Sequence, residues 1–326
     1  MNPLVSIILL NWNGEEHIHR CMEYVMSQSY KPIEVIVVDN DSSDGSIQKI
    51  QSGYPDLTYI LNRENKGFAL GMNQGFEISK GDYVIPLNQD VCLHENFISK
   101  CVERIQKDSR IGAVGGRVYS WIGDELTDVL RKGEGELFFF RKRFQGYGGI
   151  RSENEAYVFM SSGSFPFFRR EMLNDIMQVS GDYYDRNFVT GWEDVDLFFR
   201  MHLRGWKCLF LPAAYGWHVG SGSVGGNATF FSKKLDYQTR VLRNRYFVII
   251  KVIPINILLW LFPYLAVTEI AMVPYLLVRS PKSIIAFFNA WRQVLISLPD
   301  LLKKRRKIQK NILVKKDYLK SFFAKF

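Results

Sequence analysis

The sequence predicts an open, mostly parallel α/β sheet flanked by helices. Val5–Leu10 and Glu34–Val38 are nearly continuous apolar runs, as expected of strands that are buried on both faces. Between such runs, apolar residues recur at helical spacing, and strands alternate with helices at the short pitch of βαβ units. Because sheets of this kind bind ligands beyond the carboxyl ends of their strands, functional residues are expected there.

The individual elements follow from the same two periodicities. After the strand Val5–Leu10, the spacing of Ile18, Cys21, Met22 and Val25 predicts a helix. The remaining predictions, in chain order, are strands at Glu34–Val38 and Leu57–Leu61, a helix at Phe68–Ile78, a strand at Tyr83–Leu87, a helix with apolar positions from Phe97 to Ile105, a strand near Ala113–Val118, a helix after Trp192 and a final strand at Lys207–Leu211.

One stretch interrupts the alternation. Trp121–Arg151 is rich in glycine, arginine and phenylalanine, and two interpretations remain open, a long surface loop with an edge strand or a flap that covers substrate. Beyond Ser232 the composition becomes helix-forming and then strongly apolar. We therefore predict two domains, residues 1–232 and residues 233–326.

Composition excludes several classes of protein. A chain of 326 residues with 47% hydrophobic and 23% charged residues is globular, neither disordered nor a fibrous repeat. The four cysteines stand at unrelated spacings, which argues against a disulfide framework or a zinc site and for a reducing compartment. The apolar run near the N-terminus is too short for a signal peptide, so we expect the chain to start in the cytosol.

The positive charge is concentrated at the C-terminus. The net charge is +9, and Leu301–Phe326 contains 10 basic residues and one acid, which leaves the first 300 residues neutral. A basic tail on a neutral body points to a partner that meets the C-terminus. Nucleic acid is one candidate and an anionic membrane surface is the other.

Several common catalytic motifs are missing from the sequence. There is no G-x-x-x-x-G-K-[ST] phosphate loop, no G-x-S-x-G elbow and no H-E-x-x-H zinc motif. The first predicted strand is followed by N-W-N-G, and not by the G-x-G-x-x-G of dinucleotide-binding folds. Carboxylates and amides at strand ends remain as the candidate chemistry.

Asp39 closes the second predicted strand and is followed by Asn40. A carboxylate at this position can accept hydrogen bonds from a base or a ribose hydroxyl. The competing interpretation is that the polar cluster only caps the next helix, with Asp44 or Ser43 as the capping residue. Capping accounts for the later residues of the cluster but not for an aspartate at the strand tip, so we favour ligand binding for Asp39.

Two further polar segments lie next to predicted elements. Asn65 and Gly67 open a helix whose free N–H groups can face an anion, although such a pair is usually only a turn. Asn88 and Asp90 end an apolar strand, where a carboxylate is a natural ligand for Mg²⁺ or Mn²⁺ bridging phosphate oxygens.

An acid/base site is predicted at the start of the helix after Trp192. Glu193, Asp194 and Asp196 place three acids in four residues, and complementation of the helix dipole accounts for one or two of them. His218 follows a predicted strand and precedes a glycine-rich loop. A lone histidine is more often structural, but this one is expected in a mobile polar loop of the kind that closes on ligands.

Six segments together resemble a known family. They are, in chain order, VSIILLNWNG, EVIVVDNDSSDGS, ENKGFALGMNQGF, GDYVIPLNQD, SSGSFPFFRRE and GWEDVDLFFRMHLRGWK. Their order and spacing resemble the inverting nucleotide-sugar transferases of the large GT-A family that includes bacterial rhamnosyltransferases. The resemblance covers about residues 4–220 and implies a GT-A type sheet.

The resemblance also implies roles for individual residues. Asp194 would be the general base and Glu193 its catalytic partner in the acid pair. The family's D-x-D metal motif aligns with residues 88–90, where an asparagine replaces the first acid, so Asp90 would bind Mg²⁺ or Mn²⁺ and His218 would complete its shell. The donor-binding residues would be Asn11, Asn13, Asp39 and Asn40 around the pyrimidine base, Asn65 and Gly67 over the nucleotide, and Asn88.

The implied activity is transfer of one sugar, with rhamnose from dTDP-rhamnose favoured, to a lipid-linked or cell-surface polysaccharide acceptor. The Q-x-x-R-W signature of processive synthases is absent, because Gln238 is followed by TRVLRNRY. The alternative is a non-catalytic nucleotide-sugar or polysaccharide binding protein, for which Asn88 is the supporting residue and the intact acid pair is the counter-argument. Nucleic acid is not an expected partner.

The C-terminal region is predicted to associate with the cytoplasmic face of a membrane. Ile255–Val278 carries one charge and is long enough to cross a bilayer of ~30 Å, but a single crossing would place the cluster 303–307 on the wrong side by the positive-inside rule. Pro263 and Pro274 are expected to break this stretch. We therefore predict two helices lying in the cytoplasmic leaflet with the basic tail on anionic lipid, and a buried helical subdomain as the alternative.

Overall fold

The computed structural model describes residues 2–131, 137–139, 142–144, 153–220, 230–315 and 317–322. The strands are β1 (Val5–Asn11), β2 (Ile33–Asp39), β3 (Thr58–Leu61), β4 (Tyr83–Asn88), β5 (Val91–Leu93), β6 (Ile111–Ile122), β7 (Glu125–Leu130), β8 (Leu137–Phe139), β9 (Lys142–Phe144), β10 (Ala156–Val158), β11 (Phe167–Arg169) and β12 (Lys207–His218). The helices are α1 (Ile18–Met26), α2 (Ser46–Gly53), α3 (Phe68–Ile78), α4 (Phe97–Ile105), α5 (Arg170–Ser180), α6 (Glu193–Leu203), α7 (Leu235–Val252), α8 (Ile255–Arg279) and α9 (Ser283–Lys310).

One mixed sheet of ten strands forms the centre of the molecule. Its order is β10-β12-β6-β11-β4-β1-β2-β3, with β5 paired to β12 and β7 paired to β6, while β8 and β9 form a separate hairpin. The pairs around β1 and β2 are parallel, and β11 runs antiparallel between β4 and β6. The predicted open, mostly parallel α/β sheet is confirmed.

The register of the central strands aligns their polar ends. Val5–Asn11 is buried along its whole length, as its apolar sequence predicts. Asn11 pairs with Asp39 on β2, and Leu10 pairs with Asn88 on β4. The polar residues that end β1, β2 and β4 therefore lie along one edge of the sheet, where α/β sheets bind ligands.

The last strand is longer than predicted, and this changes the position of His218. The sequence predicted a strand at Lys207–Leu211, whereas β12 continues to His218. The ladder with β6 is interrupted by a register shift between Phe210 and Tyr215, a stretch that includes Pro212, which has no N–H to donate. Beyond the shift, pairing with both β6 and β5 restores the strand, so His218 closes a strand and does not lie in a loop.

Two segments singled out by sequence extend outside the described residues. The stretch Trp121–Arg151 begins as the end of β6 and the antiparallel strand β7, which is the predicted edge strand. Apart from β8 and β9, residues 132–152 lie outside the description, and with them the predicted flap. The glycine-rich residues 221–229 after His218 lie outside it as well.

The C-terminal region consists of three long helices. The prediction that Pro263 and Pro274 break the apolar stretch is wrong, because α8 runs without interruption over 25 residues. Both prolines are exposed, so each removes one backbone hydrogen bond without driving its ring into packed neighbours. Among the described residues, α8 is the one helix long and apolar enough to cross a membrane, judged by length and composition.

The basic cluster at residues 303–307 is partly bound to the protein itself. Lys304 Nζ lies 2.7 Å from Asp185 Oδ1, and Arg305 donates to the carbonyls of Ile250 and Ile253 at 2.6 and 2.8 Å. The prediction that the whole cluster faces lipid is therefore corrected, because α9 packs along α7 and turns these two cations inward. Lys303, Arg306 and Lys307 remain exposed.

Candidate active site

The donor edge, defined as Asn11, Asp39 and Asn40, lies at the ends of β1 and β2. The Asn11 Nδ2 group donates to Asp39 Oδ1 at 2.8 Å and to the hydroxyls of Ser42 and Ser46 at 3.1 and 2.8 Å. Ser42 donates to both Asp39 oxygens, through its backbone N–H to Oδ2 at 3.0 Å and its hydroxyl to Oδ1 at 2.6 Å. These hydrogen bonds hold the Asp39 carboxylate in a fixed orientation, and Asp39 is only 4% exposed.

The capping interpretation and the ligand interpretation apply to different residues. Asp44 lies one residue before the N-cap Gly45 and accepts from the backbone N–H of Ser46 at 3.0 Å, so it satisfies a free N–H at the start of α2 without being the N-cap residue that the sequence predicted. Asn13, in a left-handed conformation with φ 48°, accepts from the backbone N–H of Ser43 at 2.8 Å. In the described part of the chain Asp39 accepts no hydrogen bond from α2, and its Oδ2 accepts a single bond, from the Ser42 N–H, so this oxygen can still accept from a ligand.

A second loop closes over the donor edge. The Asn40 Nδ2 group donates to the Gly67 carbonyl at 3.0 Å, and Asn65 Oδ1 accepts from the Gly67 N–H at 2.8 Å. Gly67 has φ 80° and no room for a side chain, because a Cβ atom would lie 2.7 Å from the Val189 carbonyl oxygen. The same carbonyl accepts from Phe68 N–H at 2.7 Å, so this loop is attached to the segment that leads into α6.

The predicted metal-binding residues meet at the end of β4. His218 Nε2 lies 3.4 Å from Asp90 Oδ2, and the other ring nitrogen, Nδ1, lies 3.0 Å from the Ser164 hydroxyl. Burial raises the pKa of the Asp90 carboxyl, but the charge and hydrogen bond of His218 outweigh it, and the net pKa lies below the usual value. Asn88 Oδ1 is buried and has no hydrogen-bond partner among the described residues.

This donor set fits a divalent cation that is only partly enclosed by protein. A carboxylate oxygen, an imidazole nitrogen and an orphaned amide oxygen suit Mn²⁺, and the oxygens suit Mg²⁺. Across the described residues, no three His, Cys, Asp or Glu side chains converge as a closed cage. Phosphate oxygens or water would have to supply the remaining ligands.

The predicted acid pair begins α6 after an unusual turn, here called the acid turn (Gly191–Asp194). Gly191 and Trp192 are both left-handed, with φ 80° and 73°, and a left-handed tryptophan is a strained conformation. Asp194 Oδ1 accepts from the Val195 N–H at 2.7 Å. The Asp194 carboxylate also lies against Gly163, where an added Cβ would collide with it.

Glu193 and Asp196 differ from Asp194 in environment. Glu193 is 7% exposed and its Oε2 has no hydrogen-bond partner in the described part of the chain. Burial, together with the Asp194 charge, raises the pKa of Glu193 to about 8. Asp196 is fully buried and pairs with Arg200 at 2.8 Å, so it belongs to the interior.

The family is decided by a sequence comparison. The profile of glycosyl transferase family 2 matches residues 6–177, more than half of the chain. The chain belongs to glycosyl transferase family 2. It is therefore a glycosyltransferase, and the alternative of a non-catalytic binding protein is set aside. The matched segment includes the donor edge, Asp90 and Ser164.

Relatives of this family 2 chain include two staphylococcal proteins. The poly-β-1,6-N-acetyl-D-glucosamine synthase of Staphylococcus aureus is 26% identical over 226 residues, covering 68% of this chain and 51% of the relative. The protein of the same name from Staphylococcus epidermidis is 23% identical over 225 residues. The chain thus spans about half the length of the curated relatives it matches.

Solved structures share the fold. GalNAc-T7 with UDP, GalNAc and Mn²⁺ aligns with a TM-score of 0.59 at 16% identity, covering 76% of this chain and 47% of that one. TarS 1-349 of S. aureus aligns with a TM-score of 0.55 at 15% identity, covering 97% of this chain and 91% of that one. The GT-A type sheet predicted from the sequence is confirmed.

The structure also identifies site residues that sequence reasoning missed. Ser164 accepts from the Asn88 N–H at 3.3 Å and contacts His218, and Gly163 contacts Asp194, so this short segment joins the two halves of the site. The motif SSGSFPFFRRE carried part of the resemblance, and its small residues were the available signal. Gln89 was missed too. Its side-chain oxygen accepts from the Trp12 N–H at 2.5 Å, and its side-chain nitrogen donates to the Trp12 carbonyl at 3.0 Å.

Proposed function

We propose that this family 2 enzyme transfers one sugar from a nucleotide-diphosphate sugar to a polysaccharide or lipid-linked acceptor with inversion at the anomeric carbon. The observation that carries the proposal is the position of Asp194. Its carboxylate lies against Gly163, and the adjacent Ser164 contacts both Asn88 and His218, so base and leaving-group residues border one site. One base facing the leaving group across the anomeric carbon suits direct displacement of the nucleoside diphosphate.

In this mechanism the acceptor hydroxyl attacks the anomeric carbon while Asp194 accepts the hydroxyl proton. The bond from that carbon to the diphosphate oxygen breaks as the new bond forms, and no covalent sugar–enzyme intermediate is required. Because burial and the Asp194 charge raise the pKa of Glu193, the pair favours holding one proton, and in this proposal Asp194 is the charged member. Asp39 and Asn40 orient the nucleoside at the donor edge.

Asp90 and His218 would hold a divalent cation, with Asn88 Oδ1 as a further oxygen donor. A bound Mg²⁺ or Mn²⁺ supplies positive charge that stabilises the leaving diphosphate. Because the protein provides few ligands, we expect the free enzyme to bind the cation weakly and the nucleotide to strengthen that binding. The Mn²⁺ named with the structural neighbour GalNAc-T7 supports divalent metal use.

The sequence motifs and the named relatives point to different donor sugars. The rhamnosyltransferase-like motifs favour dTDP-rhamnose, whereas the staphylococcal relatives are named as synthases of poly-N-acetylglucosamine. We retain dTDP-rhamnose as the preferred donor and treat UDP-N-acetylglucosamine as the competing one. Addition of a single sugar rests on the absence of Q-x-x-R-W after Gln238.

We propose that the acceptor is presented at a membrane. The helices α8 and α9 would contact the cytoplasmic side of that membrane. The sole acid of α8, Glu269, accepts hydrogen bonds from Arg245 and Tyr246 of α7 at 2.7 and 2.6 Å. The exposed face of α8 is apolar, with Leu259 67%, Phe262 64% and Ile270 75% exposed. A helix attached to α7 near its middle and apolar over its exposed face suits lying in the leaflet better than crossing it.

Charged residues next to this face support the same arrangement. Arg279 and Lys282, at the turn between α8 and α9, are exposed, as are Lys303, Arg306 and Lys307 near the end of α9. Lysine and arginine near an anionic leaflet each contribute ~1 kcal/mol to binding. The apolar face and these cations together define an anionic membrane surface as the proposed partner.

A donor screen tests the proposed activity. Purified protein with Mn²⁺ is incubated with dTDP- and UDP-sugars, with and without a lipid-linked or polysaccharide acceptor, and products are read by mass spectrometry. We expect hydrolysis of one donor without acceptor and a mass increase of one sugar with acceptor, both lost in Asp194→Asn. Ladders of many added sugars would contradict single addition, and turnover of no donor would contradict the proposed function.

A further inference from the structure

The acid turn is held by a helix far away in the sequence. Asn244 of α7 is fully buried, and its Nδ2 group donates to the carbonyls of Thr190 and Gly191 at 3.0 and 2.7 Å. The neighbouring Arg243 donates to the Asn187 carbonyl at 3.1 Å and to Asn244 Oδ1 at 2.8 Å. These contacts fix the backbone immediately before the strained Trp192.

A buried ion cluster attaches α6 to the same helix. Lys251 of α7 is paired with Asp185 and lies 2.7 Å from Asp196 Oδ1, a charge contact without hydrogen-bond alignment. Arg200 holds the other Asp196 oxygen, and Lys304 of α9 holds Asp185. Since Asp196 lies two residues after Asp194, this cluster restrains the rotation of α6 about its axis.

We propose that the C-terminal helices are part of the catalytic apparatus, with Asn244 and Lys251 as positioning residues for Glu193 and Asp194. The inference rests on the proposed role of Asp194 as the base. A left-handed tryptophan persists only where its surroundings hold it, and the carbonyls of the two residues before it are held by Asn244. Without that restraint the Asp194 carboxylate would lose the orientation that proton transfer requires.

The contacts of the donor edge distinguish a positioning role of Asn244 from general destabilisation of the C-terminal helices. The Asp39 carboxylate is held by Asn11 and Ser42, neither of which belongs to the C-terminal helices. Within the described residues, Asn40 is connected to the segment before α6 only indirectly, through Gly67 and Val189. Loss of the Asn244 contacts should therefore lower kcat and leave donor binding nearly unchanged. General destabilisation of the helices would instead lower the melting temperature without this selective effect on kcat.

The test compares Asn244→Ala with the matched control Arg305→Met in the full chain. Each variant removes two hydrogen bonds to backbone carbonyls, those of Arg305 being made to Ile250 and Ile253 at the far end of α7. Measurements are kcat and KM for donor turnover, affinity for dTDP or UDP with Mn²⁺ by calorimetry, and the melting temperature. If Asn244→Ala does not fold, Asn244→Ser replaces it, because the serine hydroxyl keeps one hydrogen-bond donor on a shorter side chain.

We expect Asn244→Ala to lower kcat by ~10–10² with donor KM and nucleotide affinity within ~3-fold, and Arg305→Met to keep kcat. Equal kcat losses in both variants would overturn the proposal, as would an unchanged kcat in Asn244→Ala. Asp194→Asn, run in parallel, separates the failures. An active Asp194→Asn enzyme refutes the base assignment and with it this inference, whereas an inactive one beside a fully active Asn244→Ala enzyme refutes the positioning role alone.

Discussion

The donor edge and the acid turn are built in different ways. At the donor edge, Asp39 is held by neighbours on β1 and by the loop that follows β2, and both of its oxygens are satisfied. At the acid turn, one buried oxygen of Glu193 has no partner among the residues that the structure describes, Trp192 is strained, and the restraint comes from α7. A locally satisfied site is suited to binding, whereas a strained and incompletely paired one is suited to chemistry.

The largest effect is expected at the acid turn. Asp194→Asn preserves shape but removes the proton acceptor, so turnover should fall by ~10²–10⁴ while donor KM stays nearly constant. Steady-state kinetics with the donor found in the screen measure both parameters. Retention of most of the wild-type turnover would remove Asp194 from the role of base.

The metal residues lie between the two regions and should affect both kcat and KM. Asp90→Ala should lower turnover at least ~10-fold, because it removes the carboxylate that is proposed to hold the cation near the leaving diphosphate. A chelator should reduce wild-type activity to the level of the variant and leave the variant unchanged. Full wild-type activity in EDTA would point to a mechanism without metal.

A change at the donor edge should produce the opposite kinetic pattern. Asp39→Asn removes the charge that accepts from Ser42 and, by proposal, from the nucleoside, so donor KM should rise ~10-fold, or ~1.4 kcal/mol, with kcat retained. Asp41→Asn, an exposed neighbour in a left-handed conformation, is the control and should leave KM unchanged. A lower kcat with constant KM in Asp39→Asn would erase the distinction between the two regions.

The last effect concerns stability and not turnover, and it depends on pH. The pKa of Glu193 is raised from 4.5 to about 8, so the folded state binds this proton more tightly than the unfolded state does. The stabilisation is complete below pH 4.5 and is lost as pH rises through 8. Denaturant unfolding should show wild type losing on the order of 1–4 kcal/mol more than Glu193→Gln between pH 5 and 8. If the free energies of unfolding of wild type and Glu193→Gln changed equally with pH, the raised pKa of Glu193 would be contradicted.

Sequence predicts the alignment of the donor-edge residues well because its signals are local. The apolar runs of β1 and β2, the boundaries of α3, and the polar residues at strand ends all lie within short windows with clear periodicity. Parallel pairing then aligns Asn11 with Asp39 without further information. The fold class and the family followed from the same windows.

The acid turn and its supports depend on contacts between distant residues. Asn244 reaches carbonyls 53 and 54 residues earlier, and Lys251 pairs with Asp185, 66 residues earlier. Nothing in the local sequence around Asn244 distinguishes it from an ordinary helical residue. The extension of β12 past Pro212 was missed for the same reason, because only its partners β5 and β6 restore the strand.

The segment from Gly163 to Ser164 has a consequence for how the specificity of the enzyme can diverge. It contacts Asp194 at one end, and Asn88 and His218 at the other, so a stretch of backbone sets the spacing between the proposed base and the proposed metal residues. Covalent geometry fixes that spacing whichever side chains line the pocket. We therefore expect substitutions of the side chains around this segment to change the preferred sugar, while the main chain preserves the stereochemical course proposed above.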